Sequence, residues 1–164
     1  PFVEAIEALE AKGLDFRLAI TGENFGKIPE AFENFDERFK SKILQYGYVS
    51  ERAVYESWLQ KSAIAVSTAL QENYGMSMVE AMIMGCAPLL PNRLAYPEIL
   101  PEAFHDYFLY HHKYDLVEKL ATLVADFERC EPHLDILAKE MKAFLWSNLA
   151  AAYDTALEEL ATGK

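Results

Sequence analysis

The chain is expected to fold as an α/β domain built on an open, doubly wound parallel sheet. Strand-like and helix-like segments alternate along most of its length. The strand-like segments are apolar runs and do not alternate strictly, as expected of parallel strands covered on both faces. They number about five, too few for an eight-stranded barrel. The architecture expected is therefore Rossmann-like.

Residues 3–11 read as a helix closed by Gly13. Residues 16–20 read as a short strand ending at Thr21-Gly22. Residues 29–42 are helix-like but weakly patterned, with Asn34 and Asp36 as potential breakers. Residues 43–49 are strand-like around Gly47, and Ser50 is placed to N-cap a helix over 51–60. Residues 63–67 read as a buried strand. A helix is expected between Gly75 and Gly85, apolar on almost every face and hence buried, with the methionines Met76, Met78, Met82 and Met84 as core packing. Strands at 86–90 and 107–110 follow. Asp115 is expected to cap a helix reaching Asp126, and helices over 132–144 and 147–160 close the chain.

A chain of 164 residues, 52% hydrophobic and 25% charged, is a single globular domain long enough to bury a core. Its formal net charge of −11 argues against broad nucleic-acid binding, although backbone amides could still hold a phosphate locally. Two cysteines, Cys86 and Cys130, suit neither a disulfide framework nor a zinc site, which favours a reducing, cytoplasmic location. No apolar run is long enough for a membrane span. Pro1-Phe2-Val3 opens without an initiator Met, so the chain is expected to be a piece of something longer.

Between Glu72 and Arg93 the only charged residue is Glu80. A carboxylate within an apolar helix needs hydrogen-bond donors or stays protonated. A ligand with neighbouring hydroxyls is one source of donors. Open α/β sheets bind ligands at the carboxyl ends of their strands, where the segment 67–74 enters the helix. The amides of Gly75, Met76 and Ser77 suit a diphosphate there, with Glu80 about a turn and a half further in.

Glu72 and Glu80 stand in Glu-Asn-Tyr-Gly-Met-Ser-Met-Val-Glu-Ala-Met-Ile-Met-Gly-Cys-Ala-Pro. This resembles the donor-site signature of family-4 retaining glycosyltransferases of GT-B fold. Tyr96-Pro97-Glu98-Ile99 resembles that family's Pro-Glu-Ile segment, and Gln45-Tyr46-Gly47-Tyr48-Val49 the strand and turn beside the nucleobase. The helix around Trp146 and Tyr153 is similar to its closing helix. Val66-Ser67-Thr68-Ala69, Gln71-Glu72 and Leu90-Pro91 resemble the tRNA-queuosine mannosyltransferase-like branch.

The resemblance implies that residues 1–164 are one nucleotide-sugar-binding domain, the C-terminal half of a GT-B enzyme, with closing helices at about 132–161. Glu72 would contact the donor sugar as the catalytic residue, and Glu80 would bind the ribose. The amides from Gly75 through Met76 to Ser77 would cradle the diphosphate, Asn73 and Tyr74 would be donor-binding, and Tyr48 and Val49 would lie against the base. The resemblance further implies a GDP- or UDP-sugar donor, retention of configuration, no metal and no cofactor. Its acceptor, tRNA in that branch, is read mainly by an absent N-terminal domain. Asn73 with Tyr74 departs from the usual pattern. The family's diphosphate-binding Arg and Lys, with a first strand, would precede Pro1. Weak nucleotide affinity and no transfer by this chain alone are expected.

Simpler readings compete. Glu80 could be a satisfied core acid in a non-catalytic, flavodoxin-like regulatory or interaction domain, and Glu72 a solvated loop residue. A phosphorylase or epimerase on the same fold is a third option, without a suitable lysine context for pyridoxal phosphate. His111-His112 reads as a partly exposed strand-end pair with no metal, and His105 as structural. Arg93 could assist the diphosphate or form a surface salt bridge. Tyr55 and Trp58 read as core or interface residues, and the acidic run 4–10 as a solvated helix face.

Overall fold

The computed structural model describes residues 1–22 and 30–163. Its elements alternate as the sequence predicts. Helix α1 (Phe2–Ala11) buries Val3, Ile6 and Leu9 as one stripe. It ends at Gly13, whose φ of 69° lets the Leu14 amide return to the Leu9 carbonyl. Strand β1 (Leu18–Ile20) follows. The expected helix over 29–42 is broken. Its start at Pro29 lies outside the described residues. A 3-10 turn, Glu30–Phe32, is cut off by Asn34 in the left-handed region at φ 55°, leaving only α2 (Phe35–Arg38).

Strand β2 (Ile43–Tyr46) leads to α3 (Arg52–Lys61), and β3 (Ile64–Val66) to α4 (Met76–Ile83). Ser50 is not the N-cap of α3: that position falls to Glu51, without a side-chain cap bond. Strand β4 (Ala87–Pro91) is buried throughout and leads to the short α5 (Tyr96–Ile99). Tyr107 and Phe108 end a four-residue helix, α6 (His105–Phe108), so β5 is only Leu109–Tyr110. Helix α7 (Lys113–Ala125) is capped by His112, whose ring accepts the Asp115 amide. Asp115 returns the bond by accepting the His111 amide at 2.8 Å. The two residues share the cap that the sequence suggested for Asp115 alone. Helices α8 (Glu131–Met141) and α9 (Trp146–Thr162) close the chain.

Among the described residues all strand pairs are parallel, with Leu18 opposite Ile43, Ile64 opposite Ala87 and Leu90 opposite Leu109. They form two pieces, β2-β1 and β3-β4-β5. The helices of the first half pack together: Phe2 of α1 stacks on Phe32 at 6.1 Å and lies against Phe35 of α2. α1 also packs on α7, and α4 on α8 and α3.

Between β1 and β3 lies a cavity of about 960 Å³. It explains a second departure from expectation. Strand β3, expected to be buried, is only half-buried at all three positions, and α3 has no buried residue. Among the described residues, α9 is likewise without a buried side chain, with Trp146 and Tyr153 exposed and their rings 5.6 Å apart.

Candidate functional site

The site lies at the end of β3. Ser67, the residue after the strand, is buried, and its hydroxyl is 2.7 Å from the Tyr96 hydroxyl. It also accepts the Ala69 amide at 3.2 Å. The Tyr110 hydroxyl donates to the Ser67 carbonyl at 2.9 Å, and Arg93 donates to the Ala69 carbonyl at 2.9 Å. Two tyrosines and an arginine from the far side of β4 therefore fix the base of the loop. Burial raises both tyrosine hydroxyls above their ordinary range. Arg93 is exposed and holds a backbone carbonyl; of the two roles the sequence left open for it, the surface salt bridge does not form among the described residues.

Sequence reasoning missed the bracing role of Tyr96 and Tyr110. The available signal was a tyrosine amid apolar neighbours, since a buried phenol usually finds a hydrogen-bond partner.

Glu72 bends back onto its own loop. One carboxylate oxygen accepts the Gly75 amide at 2.9 Å and the Tyr74 amide at 3.2 Å. Those amides hold its pKa below the usual carboxylate range, Gly75 first. Gly75 was expected to give its amide to a diphosphate, but Glu72 occupies it. The amides of Met76 and Ser77, first in α4, have no intrahelical acceptor and point out of its N-terminus. Gly75 itself is buried at φ 83°. A Cβ there would lie 2.9 Å from Ile99 Cδ1 and 3.2 Å from Tyr96 Cε1.

Glu80 is neither fully buried nor alone. Its side chain is 22% exposed, and Oε1 accepts from Arg52 at 2.7 Å. Arg52 lies 28 residues away at the start of α3 and also binds Glu56 at 2.6 Å. Tyr55, on the same helix, is pushed up to about 12, first by burial and then by the Glu80 charge. The α4 helix is less buried than its composition suggested. Val79, Ala81 and Met82 are buried, but Met76 is 52% exposed, so only part of the methionine cluster packs in the core.

Asn73 and Tyr74 are exposed, and the Tyr74 ring meets Phe144 edge-on at 6.3 Å. Tyr48 is exposed and Val49 half-buried just after Gly47. Neither makes a hydrogen bond to the α4 mouth among the described residues, but three residues later Arg52 does reach Glu80. The His105 ring pairs with the Leu100 carbonyl at 2.7 Å, the structural part expected of it. No group of three or more His, Cys, Asp or Glu side chains is placed to hold a metal among the described residues. None of the described helices is long and apolar enough to cross a membrane.

Parallel strands in two pieces flanking one cavity, with the loop after β3 entering α4, describe an α/β domain with a candidate ligand site at the carboxyl ends of its strands. Residues 1–126 match the family described as "Glycosyl transferases group 1", and the chain belongs to that family. It is 40% identical over 100 residues to the "tRNA-queuosine alpha-mannosyltransferase" of Drosophila melanogaster, a stretch covering 61% of this chain but 26% of that protein. The catalytic domain of cholesterol-alpha-glucosyltransferase from Helicobacter pylori superposes with a TM-score of 0.70 at 18% identity, over 88% of each chain, which shows a shared fold.

Proposed function

We propose that this chain is the donor-binding part of a retaining glycosyltransferase that uses a nucleotide-diphospho-sugar. The observation that carries the reading is the α4 mouth. Met76 and Ser77 offer outward amides, Glu72 lines the same cavity as Ser77, and Glu80 stands about one turn behind them. The diphosphate would sit on the two amides, where the helix dipole stabilises charge developing as its bond to the anomeric carbon breaks. Glu80 would take the ribose hydroxyls, with Arg52 fixing its carboxylate. Glu72 would orient the sugar, and Tyr48 and Val49 would flank the base. No metal or cofactor is needed in this scheme.

The name of the Drosophila melanogaster relative makes mannose and queuosine-bearing tRNA the first substrate pair to test. The net charge of −11 suits an acceptor held mainly by another part of the enzyme. A cytoplasmic setting goes with that acceptor.

The Arg52–Glu80 pair also favours a second reading, in which Glu80 is a satisfied acid of a non-catalytic interaction domain. Titration with GDP, UDP and ADP, followed by calorimetry, separates the two. Saturable binding of one nucleotide that disappears in Glu80→Ala, with unchanged circular dichroism, supports donor binding. Silence toward all three at millimolar concentration, both in this chain and in one extended ahead of Pro1, would sink it.

A further inference from the structure

We propose that Arg52 is a specificity-determining residue of the nucleotide site, acting by position: its ion pair with Glu80 sets how far the turn beside the base stands from the carboxylate on the ribose. The assignment rests on the donor-site reading, in which Glu80 takes the ribose hydroxyls and Tyr48 and Val49 flank the base.

Nothing local to α3 accounts for an arginine at its first position. A cation there meets the positive end of the helix dipole, and the first turn carries no acid to offset it. Its partner within the helix, Glu56, follows with the cation first, the poorer order for such a pair. Yet three neighbours hold the guanidinium. Nε donates to Glu56 at 2.6 Å, Nη1 donates to Glu80 at 2.7 Å, and Cζ stands 5.6 Å from the centre of the Tyr55 ring. A residue that breaks a local rule while making defined tertiary contacts marks a place where function outranks local stability.

The contacts join two parts of the sheet. Tyr48, Val49 and Arg52 follow β2 of the β2-β1 piece, while Glu80 lies in α4, which follows β3 of the other piece. Helix α3 has no buried residue to seat it. Its far end is tied by Cys86, whose Sγ lies 3.2 Å from the Leu59 and Ser62 carbonyls. At the near end, Arg52 to Glu80 is the one ion pair that leaves the helix among the described residues. Base and ribose are joined by a single bond, so a site split between two elements recognises both only when those elements are held in register. Tyr48 and Val49 lie just ahead of the tie, which keeps their reach from Glu80 fixed. Without it the turn drifts while Glu80 still takes the ribose, and the site loses its preference among bases. An ion pair whose arginine is 60% exposed adds little to stability, so its removal leaves the fold standing.

The test repeats the titration with GDP, UDP and ADP on the parent, Arg52→Met, Arg52→Lys and Glu56→Gln. Arg52→Met is expected to narrow the preference for the best nucleotide over the weakest at least about threefold, with unchanged circular dichroism. Arg52→Lys is expected to recover part of that preference, because an ammonium still pairs with Glu80 although it cannot fork to Glu56 as well. Glu56→Gln is expected to keep the preference, because Glu80 still holds Arg52. Affinities that fall by one common factor in Arg52→Met would show that the residue serves Glu80 or the fold alone, and would overturn the assignment. So would a preference that Glu56→Gln narrows as far, or that Arg52→Lys does not recover, or a parent that binds all three alike. Were Arg52→Met to unfold, Arg52→Lys would decide, a preference equal to the parent's overturning the assignment. Silence of the parent sinks the donor reading and this assignment together, whereas a parent that prefers one nucleotide while Arg52→Met keeps the full preference overturns this assignment alone.

Discussion

Replacing Gly75 by alanine tests the geometry at the head of α4. The residue sits at φ 83°, where an L side chain costs roughly 1–2 kcal/mol. Its new Cβ would meet Ile99 Cδ1 at 2.9 Å and Tyr96 Cε1 at 3.2 Å. The Ile99 methyl can rotate away, but the Tyr96 ring is 1% exposed and tied to Ser67, so it yields less. Overpacking of this kind adds about 1–3 kcal/mol. The stiffer unfolded chain returns about 0.4–1 kcal/mol, leaving a net loss of roughly 1–5 kcal/mol, centred on about 3. That is a large share of a typical domain's stability of about 5–15 kcal/mol.

Gly85→Ala is the control. Its φ is 93°, yet nothing lies within 4 Å of the added Cβ. It should lose only the conformational part, about 1 kcal/mol. Urea denaturation of both variants, compared by midpoint at constant slope, isolates the packing contribution. Equal losses at the two glycines would refute the close approach of Tyr96 and Ile99 to Gly75, and with it the rigid seating of Glu72 on the Gly75 amide.

Two further outcomes follow from the carboxylates. Glu80→Gln should bring the Tyr55 hydroxyl down from about 12 without restoring its ordinary value, because burial, the larger cause, remains; ultraviolet difference titration of the phenol reads this, and an unmoved Tyr55 would show that Glu80 does not face it. Glu72 has a folded pKa below its ordinary 4.5, so its ionised form stabilises the fold above that pH and the contribution is lost as pH falls through the folded value. Glu72→Gln should therefore be less stable than the parent at pH 7, and the difference should shrink as pH falls below about 4.5; a gap in urea midpoints that stays constant as the pH is lowered below 4.5 would contradict the amide cradle.

Much of the architecture was legible in the sequence because it rests on local pattern. Ala87 to Leu90 is an unbroken apolar run, and it is the buried strand β4. Gly75 and Gly85 bracket α4 because both take positive φ, which few other residues adopt without strain. Asn34 broke a weak helix for the same backbone reason.

The partners of the functional side chains could not be read that way. Sequence alone determined that Glu80, the one charged residue between Glu72 and Arg93, stands in the helix that follows Glu72 in an α/β domain. It could not supply Arg52, 28 residues earlier, which neutralises Glu80, or Tyr96, 29 residues after Ser67, which braces the loop. Nor could it show that Glu72 takes the Gly75 amide, which depends on how the loop closes. Periodicity follows from the geometry of one element, but charge pairing and exposure follow from which elements meet. Strand β3 makes the difference plain: its residues are apolar enough for a buried strand, yet they stand half-buried because they line a cavity rather than a packed interface.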